Sequence, residues 1–420
     1  MRAPQRPRRV HVVGAGLAGL AASLRLAEAG VAVVLHEAAR QAGGRCRSYD
    51  DATLGCRIDN GNHLLIAGNR AAMDYLRALG AADTLIGPPE PSYPFLDLAS
   101  GERWVVRPNA GRVPWWLLDA GRRVPGTRVL DYLRALRLAV ARDDDTVADT
   151  LDPNATIFRR LWQPLAVAAL NTEVKQGAAV LLARVLRESF GAGGAACRPL
   201  MPREGLSESL VEPALTRLAS LGAELRLGSR LRGIDLADQR VATLSFDSGA
   251  EALAPDEAIV LAVTAPVAAR LLPGLAAPEE FRAIVNAHYR IAASAASPLF
   301  VGLVGGAAEW VFRKREVLSV TISAGDRFID TPADKLAALL WRDVVRAYDL
   351  RGETLPPWQI VKERRATFAA TPAQLRRRPP AATRWTNLVL AGDWTATGLP
   401  ATIEGAIRSG FAAAAHLLRI

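Results

Sequence analysis

The stretch VHVVGAGLAGLAASLRLAEAGVAVVLHEA, Val10 to Ala38, changes its hydrophobic period twice. Val10, Val12 and Val13 suit a buried strand, after which the chain turns through Gly14, Ala15 and Gly16. Leu17, Leu20, Leu24 and Ala27 then recur at helical spacing, Gly30 marks the helix stop, and Val31, Val33, Val34 and Leu35 predict a second buried strand. This is a βαβ unit. Gly14 permits the tight turn, Gly16 lets a diphosphate approach the backbone, and Gly19 brings the helix close to the sheet. Ala15, Leu17 and Ala18 complete the expected contact, because the helix N-terminus supplies amides and a partial positive charge. Glu37, eighteen positions after Gly19, stands where a carboxylate can accept hydrogen bonds from both hydroxyls of a ribose and would repel a 2′-phosphate. The unit is built for a dinucleotide.

The next segment separates NAD from FAD. Arg40-Gln41-Ala42-Gly43-Gly44-Arg45 resembles the glycine doublet and arginine that come after the second strand in flavoproteins of the amine oxidase and phytoene desaturase superfamily. The resemblance implies that Gly43 and Gly44 let backbone pass the flavin side of the cofactor, with Arg45 near the diphosphate. At the other end of the chain, NLVLAGDWTATGLPATIEGAIRSGFAAAAHLL predicts a buried strand from Leu388 to Ala391, a loop, and a helix opening near Thr402-Ile403-Glu404. In the same superfamily the acid after such a glycine, here Asp393 after Gly392, binds the ribityl chain. The helix opened by Thr402, Ile403 and Glu404 would point its N-terminus at the pyrimidine edge of the flavin, which becomes anionic on reduction. Two such half-sites, nearly four hundred residues apart and in the expected order, point to FAD.

AELRLGSRLRGIDL resembles the strand pair that lays backbone against adenine in these flavoproteins, and the matching residue is Leu231. A half-buried hairpin would look the same. Asp59-Asn60-Gly61-Asn62-His63 matches the loop after the first flavin segment, which places Asn62 and His63 beside the cofactor. His63 is a candidate proton donor, although a hydrogen-bonded structural histidine would read the same way.

At 420 residues, half of them hydrophobic, the chain exceeds a single compact core. The expected fold is α/β: a discontinuous Rossmann-type FAD-binding domain with an interleaved, mixed α+β substrate domain, as in amine oxidases. The flavin motifs and the strand-rich patterns joining them assign 1–70, 199–263 and 383–420 to the first, and leave 71–198 and 264–382 as the lid. The lid includes an amphipathic stretch with Val129, Leu133, Leu136 and Val140 on one face and Arg134 and Arg137 elsewhere. Trp310-Val311-Phe312 and Leu318 to Ile322 read as strands.

Cys46, Cys56 and Cys197 are too few and too dispersed for a disulfide framework or metal cluster, so no metal is expected and the reducing cytoplasm fits. No secretion signal appears, since the basic Arg2 to Arg9 runs straight into the first strand, and no apolar run reaches membrane-spanning length. The C-terminal flavin segment has no cysteine where some amine oxidases attach FAD, so the flavin is expected to be noncovalent. Of the 52 basic residues 48 are arginine, and the net charge is +10. They are spread along the chain without a nucleic-acid reader motif, which excludes nucleic acid and leaves an anionic membrane surface as the better partner.

Amine oxidases commonly set an aromatic residue before the Glu-Gly-Ala of the last helix; Thr402 stands there and argues against an amine substrate. GRVPWWLL (111–118), LWQPLAVAALNTEV (161–174) and MPREGLSESLVEPAL (201–215) are similar to the squalene-associated FAD-dependent family, the hydroxysqualene dehydroxylases of bacterial hopanoid synthesis. LAVTAP (261–266) departs from relatives that often carry proline directly after the valine. The resemblance implies loss of an allylic hydroxyl as water and hydride delivery from reduced flavin N5. Such chemistry calls for an apolar or aromatic pocket with one proton donor. Trp162, Asn171 and Thr172 are the lid candidates, Trp162 facing the cation and Asn171 or His63 near the leaving oxygen. An isoprenoid desaturase would run the same site in reverse. A carrier with a vestigial flavin is the non-enzyme option, against which the intact FAD motifs argue, and an amine oxidase is the lesser enzyme alternative. With one dinucleotide site filled by FAD, the electron donor is an external reductase or a transient nicotinamide site. A thirty-carbon substrate has to be collected from a bilayer, so the protein is expected on the inner face of the cytoplasmic membrane. Val113 to Leu118, flanked by Arg107, Arg112, Arg122 and Arg123, has the composition of a segment that dips into the interface.

Overall fold

The computed structural model describes residues 6–291, 293–351 and 354–419; the first half of the basic Arg2 to Arg9 run therefore lies outside the described residues. β1 (Arg9–Val13), α1 (Leu17–Glu28) and β2 (Ala32–Glu37) form the expected unit. They sit in a five-stranded parallel sheet ordered Glu224–Leu227, β2, β1, Glu257–Leu261, Leu388–Leu390. Val12 stands between Leu35 and Val260, all three buried, because a parallel sheet covered on both faces demands apolar residues without alternation.

The C-terminal helix Ile403–Leu418 packs on α1 at very short range. A Cβ on Gly410 would lie 2.2 Å from the Ala18 carbonyl oxygen, so the small residues of both helices are what permit the approach. The helix Arg70–Ala78 joins the same core through Ala72, Tyr75 and Leu76, so the division drawn at residue 70 falls at the start of a helix that packs with the dinucleotide unit.

A seven-stranded sheet forms the other half, in the order Trp358–Phe368, Phe281–Arg290, Val317–Ile322, Trp310–Lys314, Phe300–Val304, Tyr93–Asp97, Arg103–Val106. Helix Ala333–Tyr348 covers one face with Leu336, Leu340 and Val344. The helices Gln163–Leu170 and Ala179–Glu188 belong to the large core cluster that also takes in Phe300, Trp310 and Phe312 of this sheet.

Two local expectations are corrected. AELRLGSRLRGIDL is not a strand pair: Glu224–Leu227 hydrogen-bonds to β2 in the parallel sheet, whereas Leu231–Ala237 opens a separate antiparallel sheet with Arg240–Phe246 and Gly249–Ala252. The amphipathic stretch breaks into a short α-helix, Val129–Leu133, and a 3-10 segment, Arg134–Val140. Its core contacts come from Tyr132 and Leu138, while Leu133, Leu136 and Val140 face solvent.

Candidate functional site

One cavity of about 670 Å³ runs between the parallel sheet and the lid. Gly14 forms its floor with φ +107°, and a Cβ there would lie 2.5 Å from the Ala262 carbonyl oxygen. Gly19 is forced in the same way: its Cβ would sit 1.8 Å from the Gly14 oxygen, which locks α1 onto the turn. Gly16 is the opposite case, since a Cβ added to it would meet nothing within 4 Å. The open space above Gly16 is bounded by the Gly43-Gly44 turn, in which Gly43 forms an isolated parallel bridge to Gly16. The α1 N-terminus has no side-chain cap and no acid in its first turn, so its amides and partial positive charge are free for an anion. This cradle fits the diphosphate of a dinucleotide.

Glu37 closes the end of β2 and accepts hydrogen bonds from the amides of Ala15 and Ala39, each at 2.8 Å. Ala15 does not line the cavity itself; its amide holds Glu37 in place. Leu231 reaches the cavity beside Ser229 and Arg230, and the Ser229 amide donates to the Glu37 carbonyl. Arg45 donates to the buried Asp393 carboxylate at 2.7 Å, and that negative charge pushes the arginine pKa up.

The loop after Gly392 depends on a residue the motifs do not reveal. Arg378, buried, donates to the carbonyl oxygens of Asp393, Thr395 and Leu399, and burial pushes its pKa down to about 10. Its signal in the sequence is only an arginine within a basic run, which ordinarily reads as a solvated face. Thr402 caps the last helix by accepting the Gly405 amide at 3.0 Å, and Ile403 lines the cavity beside it. Glu404 also borders the cavity, yet its carboxylate accepts the Ala71 and Ala72 amides and pairs with Arg408. It holds the helix Arg70–Ala78 to the last helix.

The loop from Asp59 to His63 is anchored from below. Asp59 accepts from Ser48 Oγ at 2.6 Å and from the Leu206 amide at 2.9 Å, and the Lys314 ammonium pairs with its second oxygen. Asn62 donates to Thr321 Oγ1 at 3.0 Å, and Thr321 in turn donates to Asn286 at 2.8 Å. Asn286 and Thr321 therefore carry polar atoms into the cavity from strands whose sequences read as plain core. His63 lines the cavity, and burial pushes its pKa down to about 4. At neutral pH it is an uncharged imidazole.

The lid candidates separate. Trp162 is absent from the cavity wall; it is buried against Tyr132, the ring centroids 6.2 Å apart. Thr172 is also away from the cavity, its hydroxyl donating to the Leu170 carbonyl and accepting the Ala370 amide. Asn171 does line the cavity, but its φ of +47° ends a helix and its amide is spent on Ala324 and Thr367. Apolar lining of the same cavity is supplied instead by Leu165, Leu182, Leu186, Phe190, Trp310 and Phe312. One or two apolar residues from each of four elements leave no motif.

Elsewhere, His11, His36 and Glu251 are the one group of potential metal-donor side chains close together among the described residues. His11 and His36 hydrogen-bond at 3.2 Å, and the Arg226 guanidinium pairs with Glu251.

A glycine turn at an uncapped helix N-terminus, an acid at the end of the second strand and a second helix N-terminus, all on one cavity with many apolar lining residues, are the features of an FAD-dependent oxidoreductase of amine oxidase architecture. The family model of flavin-containing amine oxidoreductases matches residues 17–296 and 303–418. A hydroxysqualene dehydroxylase of Rhodopseudomonas palustris is 51% identical over 96% of this chain and 97% of its own length, and one of Sinorhizobium fredii is 48% identical over 97% and 98%. Among solved structures, cyclohexylamine oxidase from Brevibacterium oxydans superposes with a TM-score of 0.71 at 18% identity, covering 98% of this chain and 99% of that one. The chain belongs to the flavin-containing amine oxidoreductases and, within them, to the hydroxysqualene dehydroxylase family.

Proposed function

We propose that the protein removes the allylic hydroxyl of hydroxysqualene reductively, giving squalene for hopanoid synthesis, with FAD held noncovalently. The observation that carries this reading is the apolar and aromatic lining of Leu165, Leu182, Leu186, Phe190, Trp310 and Phe312, which shares one cavity with the flavin-type cradle. Bound FAD in its reduced form supplies the hydride that replaces the hydroxyl. The residues do the rest. Gly14, Gly16, the α1 N-terminus and Arg45 hold the diphosphate, Glu37 the ribose hydroxyls, Gly43 and Gly44 the flavin side, Asp393 the ribityl chain, and Thr402 and Ile403 the pyrimidine edge.

Loss of the hydroxyl as water leaves a delocalised allylic cation, which aromatic faces stabilise and an apolar wall protects from water. His63 offers one N–H as a hydrogen bond that orients the departing oxygen, and the proton that completes the water comes from solvent, since the neutral ring has none to transfer. Because burial keeps it neutral, it adds no second positive charge beside the cation. The substrate is lipophilic, so the protein would act as a peripheral enzyme on the cytoplasmic side of a membrane, with electrons from a separate reductase or transient nicotinamide donor.

The test is anaerobic. The reduced protein is mixed with hydroxysqualene, and flavin reoxidation is followed together with squalene by mass spectrometry. Reoxidation coupled to squalene is expected; bleaching of the oxidised protein by phytoene, with no response to hydroxysqualene, would assign it to the isoprenoid desaturases instead.

A further inference from the structure

The protein's exposed large hydrophobic side chains are not scattered: eleven are exposed among the described residues, and seven of these fall between Val113 and Val140. Trp115 (65% exposed), Leu118 (68%), Leu136 (67%) and Val140 (82%) mark the extremes of this face. It is not a poorly packed edge. Trp116 lies beneath it, edge-on to Tyr132 with ring centroids 5.2 Å apart, and Tyr132 continues to Trp162. The segment thus has its own buried side, and the apolar residues outside are surplus to it.

We propose that this face docks on a bilayer containing anionic lipid, and that the helix behind it is where the lipophilic substrate passes into the cavity. The second half rests on the isoprenoid substrate proposed for the cavity. Charge selects the occupant: residues 107–142 contain eight arginines against two aspartates, and in the Asp143-Asp144-Asp145 run that follows, Asp144 pairs with Arg376 and Asp145 accepts the Arg142 amide. The two aspartates within 107–142 are already paired, Asp119 with Arg122 and Asp131 with Arg134. Arg107, Arg112, Arg128 and Arg137 are exposed around the apolar residues, an arrangement suited to acyl chains at the centre and phosphates at the rim. Position selects the route. The segment Arg134–Val140 packs on the helix Ala179–Glu188, and Leu182, Val185 and Leu186 of that helix line the cavity. One helix separates the face from the site. A tryptophan pair read from sequence becomes, in the structure, a single exposed Trp115 joined by leucines from the next two elements.

The experiment uses the holoenzyme and vesicles of phosphatidylethanolamine with phosphatidylglycerol, against phosphatidylcholine vesicles. Wild type is expected to float with the anionic vesicles, less so at high salt. Leu130→Gln/Leu136→Gln/Val140→Gln should lose roughly tenfold or more in partition while keeping its flavin spectrum. That variant should turn over hydroxysqualene presented in detergent micelles at the wild-type rate and fail on hydroxysqualene held in vesicles. Arg128→Glu/Arg137→Glu, which leaves the apolar packing alone, should also lose flotation. Flotation of both variants at the wild-type level would overturn the proposal, as would a vesicle-free wild-type dimer that the triple variant splits, since the face would then be an interface between copies. If wild type floats but does not reduce hydroxysqualene in micelles, the substrate reading fails and the docking surface stands.

Discussion

Glu37 holds two backbone amides on one carboxylate and lines the cavity at the end of β2, where we propose that it meets the ribose. Glu37→Ala is expected to weaken FAD retention about tenfold to a hundredfold, because hydrogen bonds to a charged group contribute roughly 1.5–3 kcal/mol. The readout is flavin fluorescence released on dilution. Heat or acid denaturation of the wild type should release intact FAD, which checks the noncovalent reading directly. His63 allows a kinetic prediction at the same scale. Since its pKa lies near 4, turnover should show no inflection from this group between pH 5.5 and 8. His63→Phe should slow reduction of the alcohol without changing the flavin spectrum, and an inflection near 6.5 that the variant abolishes would contradict the neutral assignment.

At the scale of elements, the lid is tied to the flavin half by a small number of directed contacts. Arg408 of the last helix donates to both oxygens of Glu188 in the lid, at 3.1 and 2.6 Å, and also to Glu404. Glu188→Gln should loosen this latch and leave the arginine half-paired. We expect faster proteolysis of the segment 179–198 with the flavin spectrum kept, as limited digestion would show. Trp162 belongs at this scale too, because its ring packs on Tyr132 and away from the cavity. Trp162→Ala should therefore cost about 3–5 kcal/mol of stability as a core truncation. A lowered melting temperature, with near-normal turnover per remaining folded molecule, is the expected result.

Across the whole molecule, buried neutral histidines make the fold sensitive to acid. Burial holds His36 near pKa 3 and His288 near 4, against about 6.5 in the unfolded chain. Between those values the unfolded chain binds the extra protons, so stability is present in full above about pH 6.5 and is lost as the pH falls towards 4. Each histidine removes up to about 1.4 kcal/mol per pH unit within that window. Urea midpoints measured from pH 7.5 to 4.5 should hold level down to about pH 6.5 and fall below it, and His36→Gln should flatten that fall, although it gives up the hydrogen bonds to His11 and Ser229.

The βαβ unit, the glycine turns and the C-terminal strand and helix were legible in the sequence because each is decided locally. A positive φ at Gly14, a cap at Thr402 and a change of hydrophobic period at Leu17 are properties of a few consecutive residues. Their order along the chain was enough to indicate that two distant half-sites share one ligand. What the tertiary structure alone decided is which side chains face which way. Trp162 and Trp116 turn inward although both read as site or surface residues, and Leu136 and Val140 turn outward although their spacing reads as a core stripe. Hydrophobic periodicity states that a face is apolar and leaves its neighbour unspecified; protein core and bilayer reward the same pattern. The polar cavity residues Asn286 and Thr321 and the loop organiser Arg378 were equally hidden, because each acts through partners fifteen or more residues away that only the folded chain brings within hydrogen-bond reach.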